Sequence, residues 1–389
     1  MDEFEEHLEN IRQHILDASN QNWLFGAGIS RDANIPLMYP LTDRVCELVD
    51  CEGSAIDKTL ISALKNELPE DCHVEHYLSH LGDLIALAER TKNSSASVDG
   101  NDFTLSQLDD CYRKIVEMIG TTVRYGYKDS DNVGTQSKPI VEIDGHIRFV
   151  KALFSNKANL ERRTSISFFT TNYDTLLEDA LALNKLDVVD GFSGGAMAFW
   201  NAKSVFQIDK SGSDAKELYK LHGSVDWHRV PEHGLVRVRY GTKYLPDAAD
   251  IMIYPQSTKY VETQKDPFST LFAGLRNKLK RREQNVLISC GYSYGDEHIN
   301  AEIESCLSEN DNKTTVVAFI EEKPSGDNII NPTLDKWLLH PQFGERIFVA
   351  GKNGVYVNSL SPALPEGYSE LDWWTFSGLT SFIENGDLL

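Results

Sequence analysis

Four apolar runs in this chain each lead into a short polar signature, and that repetition constrains the fold more than any other feature. Trp23-Leu24-Phe25 leads into Gly26-Ala27-Gly28-Ile29-Ser30, and Ile166-Ser167-Phe168-Phe169 into Thr171-Asn172-Tyr173-Asp174. Leu218-Tyr219-Lys220-Leu221 leads into His222-Gly223, and Val286-Leu287-Ile288-Ser289-Cys290 into Gly291-Tyr292-Ser293. Short apolar runs bounded by turn residues read as strands buried on both faces. In open α/β sheets the ligand sits outside the carboxyl ends of such strands. The expectation is an α/β fold with a Rossmann-like parallel sheet flanked by helices. Its strand ends would bring glycines, an amide, a carboxylate, an imidazole and a hydroxyl to one site.

The 389 residues exceed one comfortable core, so appended modules are expected around a large domain. Residues 3–18 place Phe4, Leu8, Ile11 and Ile15 at helical spacing. A helix over 41–50 would be capped by Thr42. From 55 to 125 the apolar spacing is helical throughout, with polar loops at Asn93–Asn101 and Lys128–Lys138. Ile147–Phe154 reads as a helix leading back to the sheet, and further helices are expected at 174–183, 267–282 and 296–307. Strands are expected within 200–230, with a turn at 211–213, and at 165–170, 285–291 and 314–320. Hairpins are expected over 234–254 and 346–360. The division that follows is a core of 1–40 and 160–330, a helical insertion module of 41–159, and a mixed α/β extension of 331–389. Trp373, Trp374, Phe376 and Phe382 in that extension either pack on the body or form an interface.

The net charge of −21 argues against a broad phosphate-tracking surface, and no direct nucleic-acid partner is expected. Lys278, Lys280, Arg281 and Arg282 form a local exception that also suits a helix C-terminus. The six cysteines include no C-x-x-C pair, which speaks against a zinc ribbon and against a disulfide framework. No apolar run reaches the roughly 20 residues of a membrane span, and the acidic start lacks the form of a secretory signal. A cytoplasmic protein without a membrane partner is the expectation.

The signatures differ in chemistry. Gly-Ala-Gly at a strand end lets backbone approach a pyrophosphate, although Arg31 stands where the common dinucleotide fingerprint has its third glycine, and a tight turn without ligand has the same form. Asn172 offers both donor and acceptor to a ribose hydroxyl or a water. Asp174 either caps the following helix or joins the ligand. His222 before a glycine is a candidate base near neutral pH, or a structural histidine. His76 and His80 are spaced as a ligand pair, but the remaining ligands of a metal site are not evident, and no metal is expected.

Gly-Ala-Gly-Ile-Ser, Thr-Asn-x-Asp, His-Gly and Gly-x-Ser in this order resemble the sirtuin family over roughly 20–40, 165–230 and 250–320. The resemblance implies NAD+ as substrate. Gly26, Ala27, Gly28 and Ser30 would line its phosphates, and Asn172 and Asp174 would contact the nicotinamide ribose. His222 would be the catalytic base, and Gly291 and Ser293 would meet the adenosine ribose and phosphate. The chain departs from the deacylase pattern at Asn34-Ile35-Pro36-Leu37-Met38-Tyr39, where the acid and arginine are missing, and lacks the zinc cysteines after the histidine. In these departures it is similar to the sirtuin-like NAD+ glycohydrolases of bacterial antiphage defence, which deplete the cofactor. The members that work with a HerA-type hexameric ATPase are the nearest in layout, which implies a homo-oligomer with that partner. Protein deacylation, ADP-ribosyl transfer and NAD sensing by a scaffold are the alternatives.

Overall fold

The computed structural model describes residues 3–16, 18, 20–155, 165–205, 215–239, 250–253, 266–280 and 283–388. Its centre is an eight-stranded sheet. Four strands at the middle carry the signatures, in the spatial order Asn285–Cys290, Asn20–Phe25, Ser165–Thr170, Lys216–Lys220. All four run parallel. Thr314–Ile320 and Ile347–Gly351 continue the sheet in parallel on one side, and Gly354–Val357 closes it antiparallel. The short strand Val188–Val189 forms the other edge.

The apolar runs make these strands because both faces are covered. Trp23 and Phe25 point into one core while Leu24 points into the other. Ile288 opposes Leu287, and Phe319 opposes Ala318, in the same way. This is the two-residue alternation of a strand, with apolar partners on each side. Helices Glu3–Leu16, Asp144–Ser155, Leu176–Leu183 and Phe376–Asn385 cover the first face. Phe268–Leu279, Glu297–Leu307 and Pro332–Leu338 cover the second.

Between the first two central strands lies the helical module: Met38–Glu52, Ala55–Glu67, Val74–Arg90 and Leu105–Tyr125, packed on a core of their own. Two helix starts are set by reciprocal capping boxes, Ser54 with Asp57 and Thr104 with Gln107. Thr42 is no cap. It lies inside its helix, where its hydroxyl donates to the Met38 carbonyl and accepts from the Val74 amide, so it ties two helices together. The expected loop at Asn93–Asn101 is mostly a hairpin, Ser95–Val98 with Asn101–Thr104, turned by Asp99 and Gly100 at φ of 46° and 72°. Tyr127–Asp129 and Asn132–Val133 form a smaller hairpin within the second expected loop.

A second, antiparallel sheet of five strands stands beyond Lys220. Here the expected hairpin over 234–254 is corrected. Gly234–Val238 and Asp250–Ile253 both pair with Gly223–Val230, one on each side, and not with each other. Val236 and Val238 face Val230 in a small cluster, which fixes the first of these pairings by burial. Residues 240–249 and the expected turn at 211–213 lie outside the described residues, as do Arg281 and Arg282 of the basic group. In the C-terminal stretch Trp373 is fully buried, meets Phe319 and Phe382 edge to face, and donates from its indole to the Gly351 carbonyl. Phe376 and Phe382 are buried with it, so these aromatics pack the body of the domain. Among the described residues no helix is long and apolar enough to cross a membrane.

Candidate functional site

The chain order of the central strands creates a switch point. From Asn20–Phe25 the sheet grows through Ser165–Thr170 to Lys216–Lys220 on one side. The chain then returns to lay Asn285–Cys290 on the other side and grows outward again. At such a reversal, outside the carboxyl ends of the strands, open α/β sheets take their ligands. Gly26–Ser30 and Gly291–Ser293 are the loops that leave the two strands there.

They touch closely. The Gly26 amide donates to the Cys290 carbonyl at 3.2 Å, and the Gly28 amide to the Gly291 carbonyl at 3.0 Å. A Cβ on Gly28 would lie 2.6 Å from the Gly291 Cα, and one on Gly291, at φ +66°, would lie 2.5 Å from the Ile29 amide nitrogen. The glycines therefore have a packing reason: side chains there would wedge the loops apart. The Gly28 amide is spent within the protein. Ala27 and Ser293 are exposed at the rim. The segment after Gly28 is a 3-10 turn rather than an α-helix, so Arg31 can occupy the position of the third glycine and point to solvent.

Ser30 turns inward to the next strand end. Its hydroxyl donates to Asp174 Oδ2 at 2.8 Å and accepts from Asn172 Nδ2 at 2.9 Å. The other Asp174 oxygen takes the Leu176 amide at 3.0 Å, but the N-cap of the helix Leu176–Leu183 is Thr175, so Asp174 braces the turn ahead of the helix rather than capping it. This chain fixes the Asn172 amide and leaves its buried Oδ1 without a hydrogen-bond partner. A buried acceptor without a partner is costly, and an aimed one fits a ligand hydroxyl or water.

His222 lies one strand further. It is buried, and Gly223 beside it, at φ +83°, is the corner where the chain leaves the central sheet for the second one. Its Nε2 stands 3.8 Å from Asp296 Oδ1, and its ring lies 5.7 Å from that of His298. Asp296 and His298 were not singled out in the sequence. The signal was there: Asp296-Glu297-His298 follows the fourth signature by two residues. The three side chains have ligand atoms within 4.8 Å of one another, an arrangement that could hold a metal ion. His146, which the sequence gives no company, is also buried, its Nε2 unpartnered. Burial lowers its pKa against the smaller opposing pull of Asp174 and Asp32.

Behind the site, Lys220 donates to the Asp174 carbonyl and, at 3.1 Å, to Glu178. Burial pushes the Glu178 carboxyl up to about 7, although Lys220 and Arg239 pull it down. The helical module reaches the same place. The Tyr173 hydroxyl donates to Glu75, and Arg124 donates to the Val225 carbonyl.

Residues 166–341 match the family model of the SIR2-like domain. Over this stretch the chain is similar to a SIR2-like domain. The SIR2-like family binds NAD+, and the ends of the strands at a switch point are where an open α/β sheet takes a ligand. Three solved complexes of Sir2 homologue mutants with ADP ribose align with the chain at TM-scores of 0.38, 0.36 and 0.36. Each is 12% identical and covers 83% of this chain and 87% of the other. No curated protein matches. Asn172, Asp174, His222, Gly291 and Ser293 fall inside the SIR2-like stretch. Gly26, Ala27, Gly28 and Ser30 lie before it and join it through the sheet.

Proposed function

We propose that this chain is an NAD+ glycohydrolase that cleaves NAD+ to nicotinamide and ADP-ribose. The observation that carries the reading is the pair at adjacent strand ends: the unpartnered acceptor of Asn172 and the imidazole of His222. Nicotinamide leaves from C1′ of its ribose with the bonding pair, which neutralises the pyridinium and leaves an oxocarbenium-like centre. A water oxygen bonds to C1′, and its proton passes to His222 directly or through a ribose hydroxyl. Asn172 Oδ1 would accept from that water or from a ribose hydroxyl and so orient it. Asp174 would reach the ribose while Ser30 holds it in place. Gly26, Ala27, Gly28, Gly291 and Ser293 would border the phosphates and the adenosine ribose. General-base help of this kind supplies about 10²–10⁴ in rate.

In this reading the reaction depletes cellular NAD+ in antiphage defence. The active form is a homo-oligomer working in the cytoplasm with a HerA-type hexameric ATPase. The support is the resemblance of the four ordered motifs and the departures from the deacylase pattern. The test is nicotinamide release from NAD+ by the purified chain, alone and with such an ATPase, beside His222→Ala and Asn172→Ala. Release that falls by about 10²-fold or more in folded variants is expected. Equal release by parent and variants would remove both residues from the mechanism. Tight NAD+ binding without turnover in either condition would replace the hydrolase by a sensor.

A further inference from the structure

His222, Asp296 and His298 bring two imidazoles and one carboxylate to a single point, with ligand atoms no more than 4.8 Å apart. Asp296 is buried and His298 half-buried. Each is held by a different constraint. His222 sits at the sheet corner made by Gly223. Asp296 immediately precedes the helix Glu297–Leu307, and His298 lies in that helix's first turn. The loop carrying Asp296 is braced by Tyr292, whose hydroxyl donates to Asn300 Oδ1 at 2.9 Å, and by Asn300, which donates to the Tyr294 carbonyl at 2.8 Å. The Phe272 ring, 5.4 Å from that of His298, supplies an apolar wall.

Ligands bonded at about 2.0–2.1 Å to one tetrahedral ion stand roughly 3.3 Å from each other. The His222 to Asp296 separation of 3.8 Å is close to that spacing, and rotation of the His298 side chain can close the rest. Two imidazoles with one carboxylate suit zinc and its borderline neighbours, whereas magnesium and calcium prefer oxygen ligands throughout. We propose that His222, Asp296 and His298 form a zinc-class metal site and that filling it silences the enzyme. The second half rests on the glycohydrolase reading. An imidazole nitrogen bonded to a metal has no lone pair for a proton, so the occupied site lacks its base. Removing the metal, or competition from arriving substrate, would restore it.

The test separates the two halves. Chelator-treated full-length chain is titrated with zinc chloride against a chromophoric competitor, beside His298→Ala, and NAD+ cleavage is followed at each zinc level. One zinc per chain is expected in the parent, with affinity at least about ten-fold weaker in the variant. Cleavage should fall with occupancy in the parent, while the variant keeps its turnover at the same zinc level. Cobalt(II) absorption by the parent alone, showing the intense visible bands of a tetrahedral site, reads the same ligands if the variant does not fold. No zinc or cobalt binding, or equal binding by parent and variant, would overturn the site. Binding that leaves cleavage unchanged or raises it would overturn the silencing. A chain that binds zinc as expected yet never cleaves NAD+ would support the site and count against the glycohydrolase.

Discussion

Ser30 is the residue through which two strand ends are joined. Its one hydroxyl donates to Asp174 and accepts from Asn172, so Ser30→Ala strands a buried amide donor and a buried carboxylate oxygen together. Leaving such groups unsatisfied costs about 1–3 kcal/mol. Urea denaturation should show a loss of that order, and the freed Asn172 should lower kcat for NAD+ more than it raises KM. Unchanged stability would mean that the network is not held in solution. Gly291 offers a steric counterpart. Gly291→Ala puts a side chain at φ +66° and 2.5 Å from the Ile29 amide. The backbone term alone is about 1–2 kcal/mol, and the clash adds to it. Gly295→Ala, which meets nothing closer than the Ser293 hydroxyl at 3.3 Å, is the control and should be near neutral. Glu178 gives a pH signature. Its folded pKa of about 7 lies above its ordinary 4.5, so its contribution to stability is full below about 4.5 and is lost as the pH rises through about 7. Glu178→Gln, neutral throughout, should gain on the parent over that window in thermal melts. A constant difference between the two would contradict a raised pKa.

At the scale of elements, the central strands were legible because both faces of each are covered, so Trp23-Leu24-Phe25 and Val286–Cys290 read as continuous apolar runs. Their signatures were legible for the same reason, since each follows directly on such a run. What the sequence hid depended on contacts between distant segments. Thr42 has the right side chain for a cap, but the Val74 amide recruits it inside the helix. The 234–254 alternation is a real strand signal, yet it cannot say that both strands flank Gly223–Val230. Asp296 and His298 acquire meaning only when the sheet places them beside His222. The helical module was legible as helices but not as a support of the site, because that support is made by contacts between distant segments, Tyr173 to Glu75 and Arg124 to the Val225 carbonyl. Tyr173→Phe removes that hydrogen bond from the buried Glu75 carboxylate. It should cost about 1–3 kcal/mol in stability by chemical denaturation. It should also lower NAD+ turnover, since Tyr173 lies between Asn172 and Asp174. Unchanged turnover in the destabilised variant would reduce the contact to scaffolding.

At the scale of the whole molecule, neighbouring strand ends at the switch point gather residues from segments that the helical module separates in the chain. Gly26–Ser30 comes from before that module, and Asn172, His222 and Gly291 come from after it. Movement of the module against the sheet would reach Asn172 through Tyr173, which offers an assembly or a bound ATPase a route to the site. The proposed partner should therefore change kcat more than KM. The most direct measurement of the central claim is product analysis of NAD+ turnover in ¹⁸O-labelled water, with the chain alone and with a HerA-type ATPase. One free ADP-ribose per nicotinamide is expected, with ¹⁸O at C1′ of the ribose that carried nicotinamide, and loss of both products in His222→Ala. Nicotinamide released without free, labelled ADP-ribose, its ribosyl group recovered on protein or on an acyl acceptor, would contradict hydrolysis and identify a transferase.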